Sequence, residues 1–147
     1  MRKSIRKKSK RIDYQKLEEQ ISEAIAKKRP PDDPRDVVLT SEEPLRERIR
    51  DIARRIVQGV KFCRKRNIPW RKRALDKEFH INWCDHCILG TEDCDYNQFV
   101  KKKRLTRQVQ HDIGCLHPYG SARTSLDSWY IDVLEHGWVE AARLVSA

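Results

Sequence analysis

Four of the five cysteines and four of the five histidines in this chain fall between positions 80 and 117: His80, Cys84, His86, Cys87, Cys94, His111, Cys115 and His117. Thiolate and imidazole are the ligands zinc prefers, four at a time in a tetrahedral array. Cys84 and Cys87 have C-x-x-C spacing, which lets one tight turn aim two sulfurs at a single point. "HDIGC" supplies a second pair, His111 and Cys115, four apart and expected on one side of a helical turn. Together they have the form of a C2HC zinc site with a long intervening loop. The set has alternates: Cys94 can replace His111, His117 lies two positions beyond Cys115, and His80 lies four before Cys84. A closed site with four protein ligands holds a fold together, whereas catalytic zinc keeps a position open.

Competing chemistries fit the residues less well. A thioredoxin-like C-x-x-C needs a preceding strand and a following helix, and "EFHINWCDHC" offers no such setting. The zinc deaminase signature pairs H-x-E with P-C-x-x-C; His80 is followed by Ile81 and Asn82, and Trp83 stands before Cys84. No Gly-rich phosphate loop or serine nucleophile elbow is present, so the chain is read as non-enzymatic. Cys84-x2-Cys87-x6-Cys94 resembles one half of a fungal binuclear zinc cluster. The second half and its internal basic residues are missing, so no ligand is assigned from it. The plain alternative is a set of reduced thiols packed in a small core.

Charge gives the second functional signal. The 147 residues carry 32 Lys and Arg against 22 Asp and Glu, for a net charge of +10. Such an excess favours polyanions. Its distribution is uneven: residues 1–29 hold 11 basic and 4 acidic side chains, and residues 61–78 hold 8 and 2. The first block, "RKSIRKKSKR", lacks apolar periodicity and is expected to be a disordered arm suited to nucleic acid or nuclear import. The second, "KFCRKRNIPWRKR", sets Trp70 among Lys61, Arg64, Lys65, Arg66, Arg71, Lys72 and Arg73. Cations for phosphates beside an aromatic ring for base stacking suit RNA or single-stranded DNA. The alternative is that Trp70 anchors a turn after Pro69. Lys101, Lys102, Lys103, Arg104 and Arg107 would form a third cationic surface on the loop between the metal-ligand pairs.

Three helices are expected to carry these residues. Residues 14–28 place Leu17, Ile21, Ala24 and Ile25 on one face behind an Asp13 N-cap. A Pro-rich linker follows, with a short strand expected at Val37–Leu39. Thr40 and Glu43 have capping-box spacing, and Leu45, Ile49, Ile52, Ile56, Val60 and Cys63 then form an apolar stripe at helical period. That stripe offers a surface for the first helix, the last helix, a protein partner or a second copy of the chain. The last helix starts near Thr124 with Leu126, Trp129, Tyr130, Val133 and Leu134 in register. Gly137 is its expected C-cap, and "WVEAARLV" a second short helix or kinked continuation. Trp129 and Trp138 are expected core anchors.

These readings predict a mostly α protein, with a small zinc-stabilised helical domain behind a basic, disordered N-terminal arm. Residues 1–12 form the arm, 13–40 a helix plus linker, and 41–147 a helical domain containing the Cys/His module at 80–117. The expected role is binding of RNA or single-stranded DNA in regulation of transcription, RNA processing or silencing. The alternative is a zinc-stabilised protein–protein adaptor using the apolar helix face. No apolar run reaches the roughly 18 residues needed to span a bilayer, and the charged N-terminus lacks the apolar core of a secretory signal. A nuclear or cytoplasmic location, rather than secretion, is expected.

Overall fold

Asp13 opens the first helix as its type predicts: its side chain accepts the backbone N–H of Lys16 at 3.1 Å, which satisfies one donor that the first turn leaves open. The computed structural model describes residues 11–28, 42–81, 87–90, 96–115 and 125–145, and among them all regular structure is helical. Helix α1 is Tyr14–Ala26, α2 is Glu42–Lys65, α3 is Trp70–Ala74, α4 is Tyr96–Lys103, α5 is Arg107–Asp112 and α6 is Ser125–Leu144. Residues 1–10, the linker with Val37–Leu39, and Thr40 lie outside the described residues.

The core forms where α1, α2 and α6 meet. Leu17, Ile21 and Ile25 of α1 are buried, as are Ile49, Ile52, Ile56 and Val60 of α2 and Val133, Leu134 and Trp138 of α6. Helix α1 packs on both α2 and α6, and its buried residues share one core with theirs. The same packing corrects the partner reading of the stripe: Ile49, Ile52, Ile56 and Val60 are covered from within the chain. Only Leu45 remains partly exposed.

Two glycines set how closely these helices approach. A Cβ on Gly59 would stand 2.5 Å from the Trp138 ring and closer still to the carbonyl oxygen of Ile113. A Cβ on Gly137 would collide with the Cδ1 methyl of Ile56. Gly137 is therefore not the C-cap that its residue type predicts. Helix α6 runs unbroken through it to Leu144, and the glycine accepts its helical cost of about 1 kcal/mol because α2 passes so near. Trp129 donates its indole N–H to the Lys28 carbonyl at 2.8 Å and Trp138 donates to the Gly114 carbonyl at 2.8 Å. Both rings thus act as core anchors with satisfied polar tips.

Three helices end in the same left-handed turn. After α2, Asn67 has φ 55°, with the Ile68 N–H on the Cys63 carbonyl and the Asn67 N–H on Arg64. After α4, Arg104 has φ 54°, with Leu105 on Val100 and Arg104 on Lys101. After α5, Gly114 has φ 71°, with Cys115 on Gln110 and Gly114 on His111. This is the Schellman arrangement, in which glycine is the usual residue at the turn. Arginine is an uncommon choice there, since a left-handed non-glycine residue costs about 1 kcal/mol. Arg104→Gly is expected to stabilise the protein by up to about 1 kcal/mol, which thermal denaturation would read as a rise of about 2–4 °C. An unchanged or lower midpoint would show that the arginine is not strained.

Candidate nucleic-acid interface and thiol cluster

The segment expected to be a loop between metal-ligand pairs is two short helices joined at a corner. Thr106 caps α5 by accepting the Val109 N–H at 3.1 Å. Gln110 is buried and fastens the corner from inside: its amide donates to the Leu105 carbonyl at 3.1 Å, and its carbonyl oxygen accepts the Tyr96 hydroxyl at 2.5 Å. Lys101, Lys102, Lys103, Arg104 and Arg107 stand exposed around this corner. Sequence reading found the cations but not Gln110, because a lone glutamine in a polar stretch carries no signal of burial.

The basic block at 61–73 divides into structural and surface residues. Trp70 is only 4% exposed and meets Trp138 edge-to-face, centroids 5.9 Å apart. Its ring is a core anchor after Pro69 and has no face open for a base. Arg71 donates to the Ala142 carbonyl at 3.1 Å, and Arg73 donates to the Ile88 carbonyl at 2.6 Å. These two arginines fasten α3 to α6 and to the 87–90 segment. Lys61, Lys65, Arg66 and Lys72 are exposed and Arg64 is half-buried. Arg66 lies over the Phe62 ring at 4.0 Å, a cation–π contact that orients the guanidinium while keeping it solvated.

Pairing separates two regions of α2. In the middle of the helix, Arg55 bonds Asp51 at 2.8 Å and Asp112 at 3.0 Å, and Arg54 lies 4.0 Å from both Glu18 and Asp51. Among the described residues, no carboxylate pairs with Lys61, Arg64, Lys65 or Arg66 at its C-terminal end, nor with the cations of the α4–α5 corner. Cations at a helix C-terminus favour its dipole, which accounts for Arg64 and Lys65 but not for Lys61 a turn earlier.

Of the residues expected to ligate metal, Cys84, Cys94 and His117 lie outside the described residues. Cys87 and Cys115 are buried. The Cys87 sulfur accepts the Gly90 N–H at 3.2 Å. His80 directs Nδ1 toward Glu135 at 3.5 Å, and the same carboxylate oxygen accepts the Ile81 N–H at 2.9 Å. His111 and Cys115 do not share a helical face, because α5 stops at Asp112 and the turn at Gly114 carries Cys115 away from it. Among the described residues, no three His, Cys, Asp or Glu side chains form a group that could hold a metal ion.

A third thiol enters the neighbourhood from a position that spacing could not reveal. The Ile113–Gly114 turn rests against α2 at Gly59 and Arg55, and Cys63 lies one helical turn beyond Gly59 on the same face. Burial pushes the Cys115 thiol well above its ordinary range, and the nearby Cys63 and Cys87 add to the shift. Burial likewise pushes Cys63 up to about 12, against the pull of Arg73 and Arg66.

Comparison with known protein families, with curated proteins and with solved structures finds no match. Among the described residues, no helix is long and apolar enough to cross a membrane.

Proposed function

We propose that this chain is a non-enzymatic, metal-stabilised nucleic-acid-binding protein that regulates transcription, RNA processing or silencing in the nucleus or cytoplasm. One observation carries the reading: the cations of the α2 C-terminal end and of the α4–α5 corner lack carboxylate partners among the described residues, whereas the central arginines of α2 are paired. Unpaired cations held on helices supply phosphate contacts, which give affinity that falls steeply with salt but do not read bases. RNA or single-stranded DNA is the favoured class. With Trp70 in the core, the aromatic contribution falls to other rings, and backbone contacts dominate.

Replacing Arg64, Lys65 and Arg66 together with glutamate is expected to weaken binding to a labelled single-stranded oligonucleotide by about a hundredfold at low salt. Circular dichroism should be unchanged, since these side chains make few core contacts. Unaltered affinity in a folded variant would sink the reading.

The metal part of the proposal keeps the set expected from spacing, Cys84, Cys87, His111 and Cys115; Cys87, His111 and Cys115 do not form a three-ligand group among the described residues, so this part rests on residue type and spacing alone. Elemental analysis is expected to find about one zinc per chain, lost in Cys87→Ser. Retention of the metal in His111→Ala would remove that residue from the set. A folded protein with no metal would remove the metal centre and leave the nucleic-acid reading standing on the cations alone.

A further inference from the structure

The start of α1 and the end of α2 enclose a concavity of about 580 Å³ lined by Arg11, Ile12, Tyr14, Lys61, Arg64 and Lys65. Four of these six side chains are cations and none is acidic. They come from two elements far apart in sequence, so helical periodicity alone does not explain their meeting. Ile12 and Tyr14 pack on the core, and Arg11, just before them in the chain, is exposed and lines the same concavity. Asp13, the carboxylate beside Ile12 and Tyr14 in the chain, is engaged in capping α1. Tyr14 organises the floor: its hydroxyl accepts Nη1 of Arg64 at 3.2 Å, and Lys61 stands 4.8 Å above its ring.

A second concavity, about 740 Å³, lies along the length of α1 and the first half of α2. Glu18, Glu19 and Glu23 oppose Arg46, Arg50 and Arg54 across it, so its charge is balanced from within. The Arg11–Lys65 concavity has no such balance among the described residues. Four like charges brought together repel unless an anion joins them. The positive end of α1 adds to the same field.

We propose that this concavity is a phosphate-binding cradle for the backbone of a single nucleic-acid strand, with Arg11, Lys61, Arg64 and Lys65 as phosphate contacts and the Tyr14 hydroxyl as the group that orients Arg64. This rests on the nucleic-acid reading above and adds to it Arg11 and Tyr14, which that reading did not include. The guanidinium groups offer paired donors to phosphate oxygens, and the lysines act as point charges.

Fluorescence anisotropy of labelled oligothymidylate, titrated with the full chain over a range of salt, tests the cradle. Arg11→Ala is expected to weaken binding about fivefold and to reduce the slope of log K against log salt by about 0.7, the share of one phosphate on a single strand. Tyr14→Phe should weaken binding about threefold while leaving the slope unchanged, since it removes an orienting hydroxyl and no charge. Lys101→Ala with Lys102→Ala serves as the comparison at the α4–α5 corner. If that pair loses affinity while Arg11→Ala and Lys65→Ala keep both affinity and slope, the cradle is refuted and the broader nucleic-acid reading stands. If the unaltered chain fails to bind oligothymidylate, both are refuted for nucleic acid. Calorimetry with inorganic pyrophosphate then decides the remainder: heat lost in Arg11→Ala keeps a phosphate site there, and absent heat removes it.

Discussion

Gly59→Ala is expected to destabilise the protein by about 3 kcal/mol, seen as a fall of about 6–12 °C in the midpoint of thermal unfolding. Alanine ordinarily favours a helix interior over glycine by about 1 kcal/mol, so the sign runs opposite to propensity. The added methyl would enter the space of the Ile113 carbonyl and the edge of the Trp138 ring. The carbonyl belongs to the turn fixed by Gly114, whose own Cβ position is 3.2 Å from the Arg55 backbone. The tryptophan is pinned by its indole bond to Gly114, so neither neighbour yields by a simple rotamer change. Gln58→Ala, one position away on the exposed side of α2, should leave the midpoint within about 1–2 °C. A Gly59→Ala variant as stable as the parent would mean that α2 and the 113–115 turn can separate freely.

Trp138→Ala should cost still more, about 4 kcal/mol. Its side chain is fully buried, it meets Trp70 edge-to-face, and its N–H is the donor to the Gly114 carbonyl. Removal leaves a cavity where α2, α3 and α6 come together, and it strips a buried carbonyl of its partner. Trp138→Phe separates these effects, because it keeps an aromatic body and loses the donor and the outer ring. Combining it with Gly59→Ala should be less damaging than the two single costs added together, by about 1 kcal/mol, since the outer ring atoms of Trp138 that would meet the new methyl are gone while the Ile113 carbonyl remains. Strict additivity in urea unfolding would show that the methyl is accommodated against the carbonyl alone.

Much of the helical framework was legible in the residues themselves. Asp13 with Leu17, Ile21 and Ile25 gives α1 nearly to the residue, and the Leu45–Cys63 stripe gives α2, because cap chemistry and a repeat near 3.6 are local properties. Gly137 misled for a physical reason: a glycine late in a helical pattern reads as a cap, and only the passing Ile56 reveals why it sits mid-helix. Trp70 misled in the same way. A tryptophan among seven cations reads as a stacking platform, yet its packing partner is 68 positions downstream. Cys63 looked like one more member of an apolar stripe, and its nearness to Cys115 depends on a turn that spacing cannot foresee. The cations were visible as a run, but their division into fasteners such as Arg71 and Arg73 and exposed side chains such as Lys65 depends on which carbonyls the fold brings within reach.

The bond from Trp129 to the Lys28 carbonyl spans 101 positions, and this has a consequence for the order in which the chain can fold. Helices α1 and α2 are neighbours along the chain and can pair early as a hairpin. That hairpin still shows Ile21, Ile25 and Ile56 to water until α6 arrives, because Gly137 is the point where all three side chains are covered. Closing so long a loop carries an entropic cost that only the completed three-helix contact repays. During synthesis the growing chain therefore displays an uncovered apolar seam for as long as the last helix is still being made, a window in which chaperone capture and self-association compete with folding.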